Sequence, residues 1–319
     1  MPVAPPAVLE APRCVWDARA ELGEGTCWSV REAALWWVDI LGHRLHRYAP
    51  ATGERRSWDF DETISAVAER EHAPGLFVTL AHGFALFDPA SGALRRLQEP
   101  EPDKPGNRFN DGKCDVRGRF WAGTMDAAGA APTGALWCYR TQAPTAAAAQ
   151  AGGGVDSEAF GRCELALDAR FAVTNGPAWS RDGRTMWFND TVARTVHAYD
   201  FDSVSGHVGE RRTFLQLAPE DGHPDGMTTD AQGRLWIAHW GGSCITAHDP
   251  ASGAELLRVA LPTAHVTNVA FGGPALDTLY VTSARAGLDA ARLAAQPYAG
   301  GLFETRTSAR GLPAQRLAG

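Results

Sequence analysis

The sequence predicts an all-β protein, and specifically a six-bladed β-propeller. Thirty-four glycines and eleven tryptophans among 319 residues favour short strands joined by tight turns. The 3.6-residue periodicity of amphipathic helices is hard to find anywhere in the chain. Short apolar segments recur six times, at intervals near the roughly 40–50 residues that one propeller blade occupies.

The six apolar segments each mark one strand of a predicted blade. They are Leu35–Val38, Leu76–Thr79, Phe120–Gly123, Met186–Asn189, Leu235–Ala238 and Leu279–Thr282. Their second residues, at 36, 77, 121, 187, 236 and 280, are 41, 44, 66, 49 and 44 residues apart. A turn containing Pro and Gly recurs with these segments. Near-copies of it occur at Ala49–Gly53, Asp88–Gly92 and Asp249–Gly253, and a looser copy at Tyr199–Gly206. This spacing predicts one propeller domain spanning residues 1–319.

Two features of the repeat need a separate explanation. The long interval contains the Ala- and Gly-rich stretch 141–157, which we expect to be a flexible surface insertion in the third blade, without a role in the site. A propeller must also close its ring, and Cys14–Asp17 is placed to supply a strand to the last blade.

Composition excludes several classes of function. No run of roughly 18 apolar residues occurs, and the N-terminus lacks the pattern of a secretory signal. The net charge is −7 without a Lys/Arg cluster, which argues against nucleic acid as a partner. Six cysteines without a C-x-x-C pair indicate free thiols and a cytoplasmic setting. We expect no membrane association, and a monomer or weak homodimer.

Polar residues occupy nearly the same phase of every repeat. Counting back 11 or 12 residues from the second residue of each apolar segment gives Glu24, Ser65, Asn110, Asn175, Asp225 and Asn268. We expect them to precede the innermost strands and to meet at one mouth of the central channel. Their oxygens suit a divalent cation, with Mg, Ca, Mn, Fe(II) and Zn all possible. Because glycine follows three of them, ordinary turn chemistry is the alternative explanation.

Longer motifs around these residues match a known family. They are Leu22–Gly25 with Trp28, Leu35–Ile40, Asn107–Lys113, Gly118–Met125, Thr174–Pro177 and Pro224–Met227. From about Trp16 to Phe303 the chain resembles the senescence marker protein (regucalcin), gluconolactonase and luciferin-regenerating enzyme family. Within that family it looks most like the bacterial aldonolactonases, including xylonolactonase-like members.

The resemblance implies a six-bladed propeller with one divalent metal ion held by Glu24, Asn175 and Asp225. It also implies that Arg108 and Asn110 contact the substrate. The family's animal members carry a sugar-contacting carboxylate where this chain has Ala128, so the preferred sugar cannot be transferred from them.

The implied activity is metal-dependent hydrolysis of sugar-acid lactones such as gluconolactone, xylonolactone or arabinonolactone. Asp225 is the candidate general base, with a hydroxide on the metal as the alternative nucleophile. Trp240 and His223 are predicted to contact the sugar lactone, although core packing or a structural role is an equal or stronger alternative for each. A promiscuous esterase or phosphotriesterase and a non-enzymatic calcium-binding propeller remain the rival functions.

Overall fold

A computed structural model describes residues 4–142 and 160–319. Almost all of the insertion predicted at 141–157 therefore lies outside the described residues. The described chain forms six four-stranded antiparallel sheets, as predicted, arranged as the blades of a propeller.

Each blade runs outward from the central channel. The first is β2 (Gly23–Ser29), β3 (Ala34–Asp39), β4 (Arg44–Ala49) and β5 (Glu54–Asp59). The second is β6 (Ile64–Glu69), β7 (Leu76–Leu80), β8 (Phe84–Phe87) and β9 (Leu94–Arg96). The third is β10 (Asn107–Cys114), β11 (Phe120–Asp126), β12 (Gly134–Thr141) and β13 (Gly161–Phe171).

The remaining blades repeat the pattern. The fourth is β14 (Thr174–Trp179), β15 (Thr185–Asp190), β16 (Thr195–Asp202) and β17 (His207–Gln216). The fifth is β18 (His223–Thr229), β19 (Leu235–Trp240), β20 (Cys244–His248) and β21 (Glu255–Ala260). The sixth is β22 (Val266–Gly272), β23 (Thr278–Ser283), β24 (Leu302–Thr307) and β1 (Val8–Trp16).

The N-terminal strand closes the ring. β1 is the outermost strand of the sixth blade and pairs antiparallel with β24, with Cys14 opposite Phe303 and Trp16 opposite Leu302. The strand predicted from Cys14–Asp17 is thereby confirmed. Both ends of the chain thus contribute to one blade, so the ring cannot open without breaking this sheet.

The apolar segments are the second strands of the blades, which corrects one expectation. The polar residues do not precede the innermost strands; they lie within those strands, near their starts. β3 is buried along its whole length, whereas five of the six residues of β5 are exposed. A second strand packs against the neighbouring blades on both faces, which explains why it gives the strongest apolar signal in the sequence.

Large aromatic side chains fill the space between blades. Trp121, Trp187 and Trp236, on the second strands of blades three to five, are 0–1% exposed. Trp236 packs with Leu279 and Phe303 of the sixth blade in one apolar cluster. Truncating such a side chain to Ala costs about 3–5 kcal/mol, so these residues hold neighbouring blades together.

Helix is a minor component of the described chain. A 3₁₀ turn spans Pro219–Asp221, and helix α1 spans Ala290–Ala295. The Asp289 side chain caps α1 by accepting a hydrogen bond from the Arg292 backbone N–H. Among the described residues, no helix is both long and apolar enough to cross a membrane. All six cysteines are free thiols.

Candidate active site

A β-bulge interrupts every innermost strand close to its start. The register breaks between Glu24 and Cys27, Ile64 and Ala66, Phe109 and Gly112, Asn175 and Ala178, Pro224 and Met227, and Val266 and Val269. A bulge bends the strand and redirects the side chains beside it. The predicted polar residues all lie at or within these bulges, and hydrogen bonds join Glu24 to Asn268 and Asn110 to Asn175 across the blades.

Two carboxyl groups form the centre of the cluster. Glu24 on β2 and Asp225 on β18 lie close enough together for each carboxyl group to shift the pKa of the other. Glu24 Oε2 also accepts hydrogen bonds from the Gly25 backbone N–H at 2.9 Å and from Asn268 Nδ2 at 2.7 Å. Two carboxylates in contact repel unless a proton or a cation lies between them.

The pKa shifts of the carboxyl groups reflect their burial and their closeness to one another. Burial, together with the nearby Asp111 carboxylate, raises the pKa of Glu24 to about 8. Burial and the charge of Glu24 raise the pKa of Asp225 well above its usual value. Burial likewise raises the pKa of Asp111, although the Lys113 ammonium opposes that shift. No salt bridge reaches these three carboxyl groups from any residue in 4–142 or 160–319.

Asp111 is the member of the site that sequence reasoning missed. It lies within the motif Asn107–Lys113, where no separate role was predicted for it. Its carboxylate accepts the backbone N–H groups of Gly112 at 2.8 Å and Gly176 at 2.9 Å and so holds the loop. Its charge also acts on Glu24 and Asp225. Its position directly after Asn110 was the available signal, because a bulge presents consecutive residues to the channel.

The asparagines divide into different roles according to their hydrogen bonds. Asn268 Oδ1 is occupied by the Thr26 hydroxyl and the Val269 N–H, each at 2.8 Å, so this residue positions Glu24 through its Nδ2. Asn175 Nδ2 donates to Thr191 Oγ1 at 2.9 Å. The only hydrogen bond to its Oδ1 among the described residues is a 3.1 Å contact from Asn110 Nδ2. Asn175 thus turns its amide oxygen toward the cluster.

Asn110 and Arg108 lie together beside the carboxyl groups. Arg108 Nη1 donates to Asn110 Oδ1 at 2.9 Å and to the Phe109 carbonyl at 2.8 Å. Burial lowers the pKa of Arg108 to about 10, while the charge of Glu24 opposes the shift. The guanidinium therefore stays protonated at neutral pH, with further N–H groups available as donors.

A buried carboxylate outside the cluster fixes the strand that carries Arg108. Glu101 accepts hydrogen bonds from Asn107 Nδ2 at 2.7 Å, and from Thr124 Oγ1 and Trp137 Nε1 at 3.1 Å. Asn107 begins β10, directly before Arg108. Glu101 therefore ties the start of β10 to β11 and β12.

Ser65, the predicted polar residue of the second blade, forms no described side-chain hydrogen bond with the other five. Its hydroxyl is bonded to Thr79 Oγ1 at 2.8 Å within its own blade. Asn189, which the sequence did not single out, instead supports the site by donating to the Asp225 carbonyl at 2.7 Å.

The aromatic and histidine candidates lie around the cluster. His223 is half-buried and donates from Nδ1 to the Thr191 carbonyl at 2.9 Å, which leaves Nε2 as the acceptor. Trp240 is partly exposed and stacks on His265, with ring centroids 4.0 Å apart. His239 is fully buried between the Asp221 carbonyl and the Thr246 hydroxyl, inside its blade. It is therefore a structural histidine.

The resemblance implied a sugar-contacting carboxylate in animal members at the position that Ala128 occupies here. Ala128 is exposed, and the neighbouring Asp126 accepts the N–H groups of Ala130 and Ala131, both at 3.0 Å. Asp126 therefore stabilises the loop that follows β11.

The donor set fits a divalent cation. Glu24 and Asp225 supply carboxylates, and Asn175 supplies an amide oxygen, all of them hard oxygen ligands. Within residues 4–142 and 160–319, no three His, Cys, Asp or Glu side chains are grouped so as to hold a metal by themselves. The amide oxygen would thus complete the set. A cation bound beside Glu24 and Asp225 would relieve the repulsion between their carboxylates.

Comparison with known proteins places this geometry in a family. L-arabinolactonase from Azospirillum brasilense is 37% identical over 303 residues, which cover 95% of this chain and 94% of the relative. Regucalcin from Gallus gallus is 33% identical, covering 96% of this chain and 98% of the relative. The crystal structure of a calcium-binding protein, regucalcin, from Agrobacterium tumefaciens covers 97% of each chain, with 28% identity and a TM-score of 0.86. The SMP-30/gluconolactonase/LRE-like region matches residues 22–285, and the chain belongs to this family.

Proposed function

We propose that this sugar lactonase hydrolyses the lactones of sugar acids with one divalent cation held by Glu24, Asn175 and Asp225. The observation that carries the proposal is the pair of buried carboxyl groups in contact, with an amide oxygen and a guanidinium beside them. The family description names gluconolactonase, and a relative of similar length is named L-arabinolactonase. The ligand set, the catalytic roles and the metal dependence are the proposed part.

The reaction needs a polarised carbonyl, a water nucleophile and a group that accepts a proton. When bound, the cation supplies a Lewis acid that polarises the lactone carbonyl and stabilises the charge of the tetrahedral intermediate. Water oxygen bonds to the carbonyl carbon and the ring C–O bond breaks. Asp225 takes the water proton, which then passes to the ring oxygen as it leaves, so that the product is a hydroxy acid.

The surrounding residues bind and orient the sugar. Arg108 presents a planar set of N–H donors to the hydroxyl groups and ring oxygen of the lactone. Asn110 holds that guanidinium in place through its Oδ1. Trp240 and His223 supply an apolar ring face and a hydrogen-bond acceptor at the same mouth of the channel. This polar environment favours a polyhydroxylated substrate over an aryl ester or a phosphotriester.

The test is a lactone panel on chelator-stripped protein to which Mg, Ca, Mn, Zn or Fe(II) is added. We expect glucono-, xylono- or arabinonolactone to open faster than its spontaneous rate only when a cation is present. Equal rates with and without chelator would contradict the metal dependence. Turnover confined to p-nitrophenyl acetate or paraoxon would favour the esterase or phosphotriesterase. Calcium binding without any turnover would favour the non-enzymatic propeller.

A further inference from the structure

The opposite end of the channel opens into a second cavity. It has a volume of about 170 Å³, and all six innermost strands line it. Its residues follow the polar cluster along the same strands, for example Thr26–Trp28 after Glu24, and Thr228 and Thr229 after Asp225. Because a strand rises about 3.3 Å per residue, this cavity lies roughly 7–13 Å farther down the channel axis.

The C-terminal segment, residues 310–319, forms one wall of the cavity. Leu312–Gln315 line it directly. The segment is fixed on both sides: the Ala231 N–H donates to the Arg310 carbonyl, the Leu317 N–H to the Glu69 carbonyl and the Ala318 N–H to the Gly118 carbonyl, at 2.8–2.9 Å. The segment thus lies across blades five, two and three and forms a fixed part of the cavity wall.

The charge of the cavity is opposite to that of the whole chain. The chain has 37 acidic and 30 basic residues, yet Lys113 and Arg181 line the cavity, and no Asp or Glu among the described residues does so. Lys113 donates one hydrogen bond, to the Met227 carbonyl, and has two further N–H groups. The nearby carboxylate of Glu69 is already held by the Ser29 hydroxyl at 2.8 Å and by Arg316 at 3.7 Å.

Uncharged donors and apolar surface complete the lining. The hydroxyls of Thr228 and Thr229 have no hydrogen-bond partner in the described part of the chain, and neither is sealed from solvent. Val67, Ala68 and Phe271 supply apolar surface beside them. Two cations, free hydroxyls and carbon surface in one cavity match a molecule with a carboxylate, several hydroxyls and C–H faces.

We propose that this cavity is a second binding site, which takes a small hydroxylated carboxylate of the class formed when a sugar lactone opens. At about 30 Å³ for each liquid water, the cavity of about 170 Å³ has room for roughly six waters, which is the scale of one small sugar acid. Lys113 and Arg181 bind the carboxylate, and Thr228 and Thr229 bind hydroxyls. The identification of the ligand with the product rests on the proposed function, whereas the binding site itself does not.

The test is calorimetric titration of the full-length protein with sodium gluconate. An Arg108→Ala background weakens product binding at the carboxyl cluster, so the remaining heat reports the second cavity. There we expect Arg181→Ala to weaken gluconate binding at least tenfold, and Thr229→Val, which removes only a hydroxyl, three- to tenfold. Arg184→Ala is the matched control, because Arg184 lies on the same β14–β15 hairpin outside the cavity lining, and it should change nothing.

Two further ligands decide the chemistry. Sorbitol has the hydroxyls but no carboxylate and should not bind, and inorganic phosphate should bind more weakly than gluconate. Phosphate binding tighter than gluconate would overturn the sugar-acid identity, and gluconate binding that ignores Arg181→Ala would overturn the site. In protein that retains Arg108, the Arg181→Ala variant should keep full lactonase activity. Absence of lactonase activity in every protein would instead contradict the proposed function while leaving the gluconate titration to decide this site.

Discussion

Two kinds of buried carboxylate lie on or beside innermost strands, at opposite ends of the channel. Asp115 and Asp230 follow β10 and β18, in the turns that lead to β11 and β19. Each accepts two backbone N–H groups, an arginine Nε (2.5 Å from Arg119 and 2.6 Å from Arg234) and a tryptophan Nε1. Glu24 and Asp225, at the other end, have each other and no cationic side chain in contact within the described chain.

This contrast separates a structural carboxylate from a functional one. Asp115 and Asp230 find all their partners within their own hairpins, in the matching sequences Asp115–Trp121 and Asp230–Trp236. Each buried charge is thus neutralised as the blade folds. Glu24 and Asp225 come from blades one and five, and no cationic side chain of the described residues forms an ion pair with either of them. The fold therefore keeps two carboxyl groups close together at one end of the channel without a cationic partner. A bound cation and substrate would offset the cost of this arrangement.

The largest expected effect is on catalysis. Asp225→Asn keeps the shape of the side chain but removes its ability to accept a proton. We expect kcat to fall about thousandfold at saturating cation, within the range that general bases and charge stabilisation supply. Initial rates of lactone opening, with circular dichroism as the folding check, measure it. Activity within a few-fold of the parent would show that another group takes the water proton.

The matched change at the other end should do the opposite. Asp230→Asn leaves the buried Arg234 without its counter-charge, and we expect a loss of about 3 kcal/mol in the free energy of unfolding. The folded fraction should keep its lactonase rate. In metal-free protein at pH 8, Asp225→Asn should instead unfold at an equal or higher temperature, because it removes a repulsion. Urea and thermal unfolding of both variants test the contrast, and a shift of the same sign in both would break it.

The fold could be predicted from sequence because the second strand of each blade is buried on both faces. Repeated apolar segments such as Leu235–Ala238 are the direct result. The meeting of Glu24 with Asp225 and Asn268 could also be predicted, since equivalent positions of a repeat lie on one ring.

The roles within the ring could not be read from spacing. The register shift that brings Asp111 into the site is a backbone feature, which a count of residues between strands does not contain. The amide oxygen of Asn268 is not free, because Thr26, which lies 242 positions away in another blade, donates a hydrogen bond to it. Ser65 occupies the equivalent position in its repeat, but its hydroxyl is hydrogen-bonded to Thr79 of its own blade. Such partners are set by tertiary packing.

A smaller effect should mark the boundary between catalysis and binding. Arg108→Ala removes sugar-directed donors while leaving Glu24 and Asp225 in place, so we expect KM for the lactone to rise about 10–30-fold, with kcat within a few-fold of the parent. Arg108→Lys, which keeps the charge but not the planar set of donors, should recover only part of the loss. A fall in kcat alone would mean that the guanidinium acts on the reacting atoms.

The last effect is a pH dependence that the comparison predicts for one end of the channel only. The pKa of Glu24 is about 8 in the folded, metal-free protein, against an ordinary value of 4.5. Between these values the folded protein retains a proton that the unfolded chain has lost, so stability is greatest at low pH and falls as the pH rises toward 8. The slope is at most about 1.4 kcal/mol per pH unit for one proton.

Thermal unfolding from pH 5 to 8 should show this fall in stability with chelator, and the fall should disappear with saturating cation. Asp225→Asn should flatten the chelator curve, because it removes a second carboxyl group whose pKa is raised in the folded protein. An unchanged slope in that variant would mean that Asp225 retains no extra proton over this pH range.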